Sequence, residues 1–305
     1  MTQKSNDPGI LPDSHWTNLD PVEIEEGPDS KEDAESILTS TASITSSLLR
    51  FRSLHGRTFH SELGNAQAWE PNDRKHIESL DLLDFGDLHP DVEVIGTDIT
   101  PIQPTWVPPN VSFQIDDATR EWTFSENTFD FIHIRFLLGC VIDWDALYQQ
   151  AFRCLKPGGW IEHQEVSAHW YSEKGIDEDS PLGQYPKIYR EAGNRMGRTF
   201  MLYEDEIQKK GMEAAGFTDI HVRDIKVPFG DWPEDEHQRE IGLITKAGAM
   251  ADLDGWIIYV LNEVLGWQPE ASQVFLAHVR RQLREPGLNL YWMRRIVYAR
   301  KPETS

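Results

Sequence analysis

Hydrophobic positions in this chain change period several times, and the changes mark out its elements. Val92-Glu93-Val94-Ile95-Gly96-Thr97-Asp98 is short, β-branched and mostly apolar, the pattern of a buried parallel strand ending on a carboxylate. Val111-Ser112-Phe113-Gln114-Ile115-Asp116 repeats it, and Phe129 to Arg135 gives a third strand. Between the first two, Pro101, Pro104, Pro108 and Pro109 exclude a helix. Trp144, Leu147, Ala151 and Leu155 then recur at helical spacing, with Asp143 as N-cap and Pro157-Gly158-Gly159 as the stop. Trp160 to Val166 follows as a strand. This succession predicts βαβ units on a parallel sheet, an α/β fold.

Helical signals return over 185–215, and a strand runs through Val222 to Val227. A helical block covers about 235–284, and a last strand spans Tyr291 to Arg300 after the Pro286-Gly287 turn. Upstream, Ile44, Leu48, Leu49 and Phe51 suggest one amphipathic helix ending near Gly56. Pro71-Asn72-Asp73 opens another, whose face is Ile77, Leu80 and Leu83. Residues 1–40 hold ten acidic and two basic side chains with few apolar ones, and are expected to form a disordered acidic tail. The expected domain is 41–302, with helical insertions at about 170–215 and 235–284.

Charge narrows the range of partners. The formal net charge is −22, a field that repels phosphate backbones and argues against direct nucleic-acid binding. No run is long and apolar enough for a membrane span. Cys140 and Cys154 fit neither a disulfide scaffold nor a metal motif, so an intracellular location, cytoplasmic or nuclear, is expected. No metal site is expected. Glu162 and His163 are neighbours on a strand and point to opposite faces. His133, His163 and His169 have no Ser/His/Asp or Cys/His setting, so no catalytic residue is assigned.

Several segments together resemble the LaeA-like fungal methyltransferases: HGRTFH (55–60), VIGTDITPIQPTWVPPNVSFQIDDA (94–118), FDFIHIR (129–135), LKPGGWIEHQE (155–165), KVPFGDWP (226–233), LGWQPE (265–270) and IVYARKP (296–302). The resemblance implies a Rossmann-like class I sheet, S-adenosyl-L-methionine as cofactor and a role in fungal secondary metabolism. Ligands of such sheets lie beyond the carboxyl ends of the strands. On that basis Asp98, with Ile99, is the ribose-binding position. Asp116, Asp117 and Ala118 are the adenine-binding positions, with Asp117 and Ala118 favoured. Arg135 lies near the methyl donor. Trp106, Trp160, Trp232 and Trp267 fall in the shared segments and are read mainly as packing residues.

One expected part is missing. The family's first strand ends in an aspartate–x–glycine–x–glycine–x–glycine loop, where the backbone closely approaches the cofactor's methionine moiety. No such string precedes Val92. Leu82-Leu83-Asp84-Phe85-Gly86-Asp87 is the nearest candidate, but it stands too close to Val92 for a parallel crossover, which takes a dozen or more residues. The expectation is a sheet without its first strand and impaired cofactor binding. The methyl acceptor would be a small molecule or a protein. The alternative is a non-catalytic methyltransferase-like protein acting through protein partners.

Overall fold

The computed structural model describes residues 9–19, 52–54, 57–59, 88–100 and 107–303. In chain order the elements are α1 (Asp13–Thr17), β1 (Arg52–Leu54), β2 (Arg57–Phe59), β3 (Val94–Asp98), β4 (Val111–Ile115), β5 (Phe129–Arg135), α2 (Trp144–Cys154) and β6 (Leu155–Val166). They continue with β7 (Tyr171–Ser172), α3 (Pro181–Met196), α4 (Ile207–Ala215), β8 (Thr218–Pro228), α5 (Glu236–Ala251), a π-helical turn at Val260–Val264, α6 (Pro269–Leu283) and β9 (Leu290–Arg300).

The strands near the site form two separate sheets. β3 pairs with β4, parallel, from Val94 against Val111 to Asp98 against Ile115. β5 pairs with β6, parallel; β6 pairs with β9, antiparallel; and β8 and β7 add to β9. Among the described residues no strand joins β3 to β5. The break falls where the chain lacks the expected first strand. Its mark is apolar surface: Phe113 and Ile115 on β4 are each 38% exposed, and Phe131 on β5 is 45% exposed. Side chains of a parallel sheet are normally covered on both faces.

The larger sheet carries the core. On α2, Trp144, Leu147, Tyr148, Ala151 and Cys154 are buried on one helical face, and Asp143 caps the helix by accepting from the Ala146 amide at 2.9 Å. α4 lies against α2 where Gly211 meets the Tyr148 ring. A Cβ at Gly211 would stand 2.4 Å from that ring, so only glycine allows this approach. Phe152 of α2 packs edge-on against Phe217 at 5.0 Å.

Two expectations give way. Residues 9–19 are not a solvated tail: α1 docks on α6, with Trp16 1% exposed and edge-on to Phe275 at 4.8 Å. The Leu11 amide also donates to Gln184 on α3 at 2.9 Å. The amphipathic helix placed near Gly56 is, over Arg52–Leu54 and Arg57–Phe59, an antiparallel strand pair. The rest of that helix, the Pro71 helix and the Leu82–Asp87 segment lie outside the described residues, as do 1–8 and 20–40 of the tail. The helical signals over 185–215 fall in α3 and α4, and the 235–284 block is α5, the π-helical turn and α6.

Candidate functional site

Asp98 is the last residue of β3. Its Oδ1 accepts from the Thr100 amide at 2.8 Å, and its carbonyl accepts from the Asp116 amide at 3.0 Å. That second bond ties the two strand ends together, so Asp98 and Asp116 stand side by side at the carboxyl edge of the parallel pair. Burial pushes the Asp98 carboxyl above its ordinary value, against the pull of the Thr100 and Ile99 amides. Ile99 is half-buried in the bend that follows.

The neighbouring loop divides its polar groups. Asp116 Oδ1 accepts only from the Asp117 amide, at 2.9 Å. Asp117 is occupied by its own loop: it accepts from the Thr119 amide at 3.0 Å, the Thr119 hydroxyl at 2.6 Å and the Arg120 guanidinium at 3.2 Å. Ala118 gives its carbonyl to the Trp122 indole at 2.9 Å, while its amide meets no acceptor among the described residues. Arg135 ends β5, in the other sheet, and is followed by Phe136 in the left-handed region at φ 51°. The structure therefore unites Asp98, Ile99, Asp116, Asp117 and Ala118 on one edge, and sets Arg135 apart from them.

A second polar group lies just past the end of β6. Ser167 Oγ donates to Glu204 Oε1 and accepts from the His169 amide at 3.0 Å and from the Tyr171 hydroxyl at 3.1 Å. His169 Nε2 is 3.8 Å from Glu204 Oε1; among the described residues neither this nitrogen nor Glu204 Oε2 has a hydrogen-bond partner, although both are buried. Burial lowers the His169 pKa, with Glu204 opposing, which keeps the imidazole neutral near pH 7. Burial pushes the Tyr171 phenol up to about 12, so it stays protonated and serves as a donor. His169 also lines a cleft of about 560 Å³, beside Gly9, Ile10, Lys187 and Arg190. A neutral, unpaired imidazole next to a carboxylate can accept a proton and be stabilised once charged.

Of this group only His169 stands out in the sequence as a candidate; Ser167, Tyr171 and Glu204 do not. The signal for the first two was the polar alternation of Glu165, Ser167 and His169 running beyond the strand; for Glu204, in the segment between α3 and α4, there was none. The other two histidines are structural. His133 Nδ1 faces Glu162 Oε1 at 3.1 Å across β5 and β6. His163 is fully buried, with Nδ1 2.6 Å from the Tyr148 hydroxyl and Nε2 3.2 Å from Glu165 Oε1. Burial raises the Tyr148 pKa well above its usual value, so the phenol donates and the imidazole proton sits on Nε2. Glu165 also accepts from the Leu137 amide at 2.7 Å. Trp160 packs near Tyr298, Trp232 donates to the Leu290 carbonyl at 2.9 Å and Trp267 lies edge-on to Phe275; Trp106 is outside the described residues. Among the described residues no group of His, Cys, Asp and Glu could hold a metal, and no helix is long and apolar enough to cross a membrane.

Residues 78–222 match a methyltransferase domain family. The secondary metabolism regulator LAE1 of Cochliobolus heterostrophus is 34% identical over 72% of this chain and 73% of its own length. The methyltransferase pytC of Aspergillus terreus is 29% identical over 88% of this chain and 94% of its own. A phosphoethanolamine N-methyltransferase 2 of Haemonchus contortus, solved with S-adenosyl-L-methionine, shares 18% identity at a TM-score of 0.41. The match covers 69% of this chain and 44% of that one.

Proposed function

The chain belongs to the LaeA-like class I methyltransferases, a Rossmann-like α/β family that uses S-adenosyl-L-methionine, and from that premise we propose that it acts as a methyltransferase in fungal secondary metabolism. The observation that carries the proposal is the juxtaposed edge of Asp98 and Asp116. A half-buried carboxylate whose side-chain partners are backbone amides of its own turn suits a ribose diol, which offers two hydroxyl donors. The unpaired Ala118 amide and Asp116 suit the acceptor and donor edges of adenine; Asp117 shapes the loop around them. These residues fit the nucleoside half of the cofactor. For the methionine half the sequence supplies no glycine loop ahead of Val92, so affinity is expected to fall below that of a complete site.

When bound, the cofactor supplies an activated methyl group on sulfur. The chain's part is to position the acceptor and manage its proton. The part-exposed His169 ring lines the cleft on the acceptor's path, Glu204 stabilises its charged form, and the Ser167 hydroxyl, itself held by Tyr171, fixes the Glu204 carboxylate. The acceptor is a small molecule or a protein side chain entering from the cleft beside α3. The protein works inside the cell, in cytoplasm or nucleus.

Titration calorimetry with S-adenosylhomocysteine tests the reading. Saturable binding that Asp98→Ala weakens by at least about 30-fold, the loss of about 2 kcal/mol expected for charged hydrogen bonds, supports it. No binding by a sample with a cooperative unfolding transition favours a second reading, a non-catalytic protein acting through protein partners. The divided sheet is the observation on that side.

A further inference from the structure

Most arginines near the larger sheet meet acids or carbonyls. Arg295 grips Asp224 with two nitrogens, at 2.7 and 2.8 Å, and Arg195 meets Glu191 at 2.9 Å. Arg135 and Arg294 meet each other instead. Arg135 pairs in register with Gln164 of β6, and Arg294 pairs with Val166, two residues further along. Strand alternation puts both side chains on one face, at the carboxyl end of β5. Their guanidinium carbons lie 5.8 and 5.9 Å from the centroid of the same ring, Phe136. Neither makes an ion pair or a side-chain hydrogen bond among the described residues, and Arg294 Nε is buried with no partner.

This is costly in a chain with 51 acidic side chains and 29 Lys and Arg, where a carboxylate partner would be easy to supply. Burial and the nearby Arg294 charge lower Arg135 to about 10, and burial lowers Arg294 as well. The backbone adds to the cost. Phe136 adopts φ 51°, a region that bulky residues avoid, and this conformation sets its ring beneath both cations. Two fork-shaped donors, partly desolvated, converging on one aromatic platform and lacking an acceptor, match one planar anion.

We propose that Arg135 and Arg294 form a receptor for one carboxylate of a bound ligand. The site rests on the methyltransferase reading only for where that carboxylate comes from: the methionyl arm of the cofactor, which here lacks a glycine cradle, or the methyl acceptor.

Two measurements on the full chain separate these sources and test the site. In the first, acetate replaces chloride at constant ionic strength during thermal unfolding. In the second, calorimetry compares S-adenosylhomocysteine with 5′-methylthioadenosine, the same nucleoside thioether without the amino-acid arm, carboxylate and ammonium together, so that dependence on the arginines isolates the carboxylate's share. Both are run on wild type, Arg135→Gln, Arg294→Gln and Arg135→Lys. Each glutamine variant is expected to melt no lower than wild type in chloride, because one of two repelling charges is gone. Acetate should raise the wild-type Tm by about 2–4 °C and leave the glutamine variants unmoved. Arg135→Lys, which keeps the charge and loses the fork, should show a reduced shift.

A wild-type preference for S-adenosylhomocysteine that vanishes in Arg135→Gln assigns the carboxylate to the cofactor. Equal binding of the two nucleosides, with an arginine-dependent acetate shift, assigns it to the acceptor. The receptor is overturned if acetate acts equally on wild type and both glutamine variants, or if neither measurement depends on the arginines. Failure of both nucleosides to bind while the acetate shift persists removes the functional reading and leaves the receptor standing.

Discussion

At the scale of single residues, three side chains carry distinct predictions. Ionised Asp98 is disfavoured by burial, so its contribution to stability is present at low pH and lost as pH rises from its usual value through its raised one. Ribose hydroxyls donate to the ionised form. Nucleoside affinity should therefore climb with pH through that window and level off above it, with proton release detectable by calorimetry in two buffers. A flat profile in the wild type would remove Asp98 from the nucleoside site. Asp224 has the opposite sign. The Arg295 hydrogen bonds hold its carboxyl below the usual value, so its contribution is lost only as pH falls through that lowered pKa. The third is Tyr148, wholly buried and donating to His163. Tyr148→Phe keeps the ring but strands the His163 acceptor, and should cost about 1–3 kcal/mol in urea unfolding. At Tyr203, whose hydroxyl contact with Asp224 is exposed at 3.3 Å, the same change should cost under about 0.5 kcal/mol.

At the scale of elements, what was legible in the sequence was what local chemistry decides. Asp143 caps α2 because its side chain reaches only its own first turn. β5, β6, β8 and β9 follow from β-branched runs and turn residues. That Asp98 and Asp116 come to the same edge was legible because each was read as the end of its own strand. Elements fixed by distant contacts were missed. Residues 9–19 sit in an acidic stretch whose average composition hides Ile10, Leu11 and Trp16, and their partner Phe275 lies on the far side of the chain. The antiparallel pair of β1 and β2 was read as the end of a helix, because the apolar spacing of Ile44, Leu48, Leu49 and Phe51 led the reading. Glu204 reaches Ser167 only through the fold of the lobe. If α1 is a structural part of the domain, Trp16→Ala should cost about 3 kcal/mol, the range for emptying a buried aromatic site. It should also speed proteolysis around residue 20. An unchanged unfolding midpoint would return residues 9–19 to the role of a leader.

At the scale of the whole molecule, the divided sheet sets both stability and function. The β5–β6–β9–β8 sheet has long registers and buried Ile132, Ile134, Ile161, Val297 and Ala299 beneath α2 and α4. The β3–β4 pair has five residues per strand, with Phe113 and Ile115 part-exposed. The Phe113 ring lies over Gly96, where an added Cβ would stand 2.5 Å from it. Two strands alone are marginal in water, because they bury too little to offset the entropy of ordering them. The residues proposed for ribose and adenine thus stand on the weaker unit, while Arg135 and His169 stand on the stronger one. Native-state hydrogen exchange in rising urea should show Ile95, Thr97, Phe113 and Ile115 amides opening at a free energy several kcal/mol below those of Ile161 and Val297. Nucleoside binding to the weaker unit should narrow that difference, since a ligand stabilises whatever must be folded to hold it. Equal protection in the free protein would mean that the two sheets unfold as one, and that the missing strand costs the domain far less than its geometry implies.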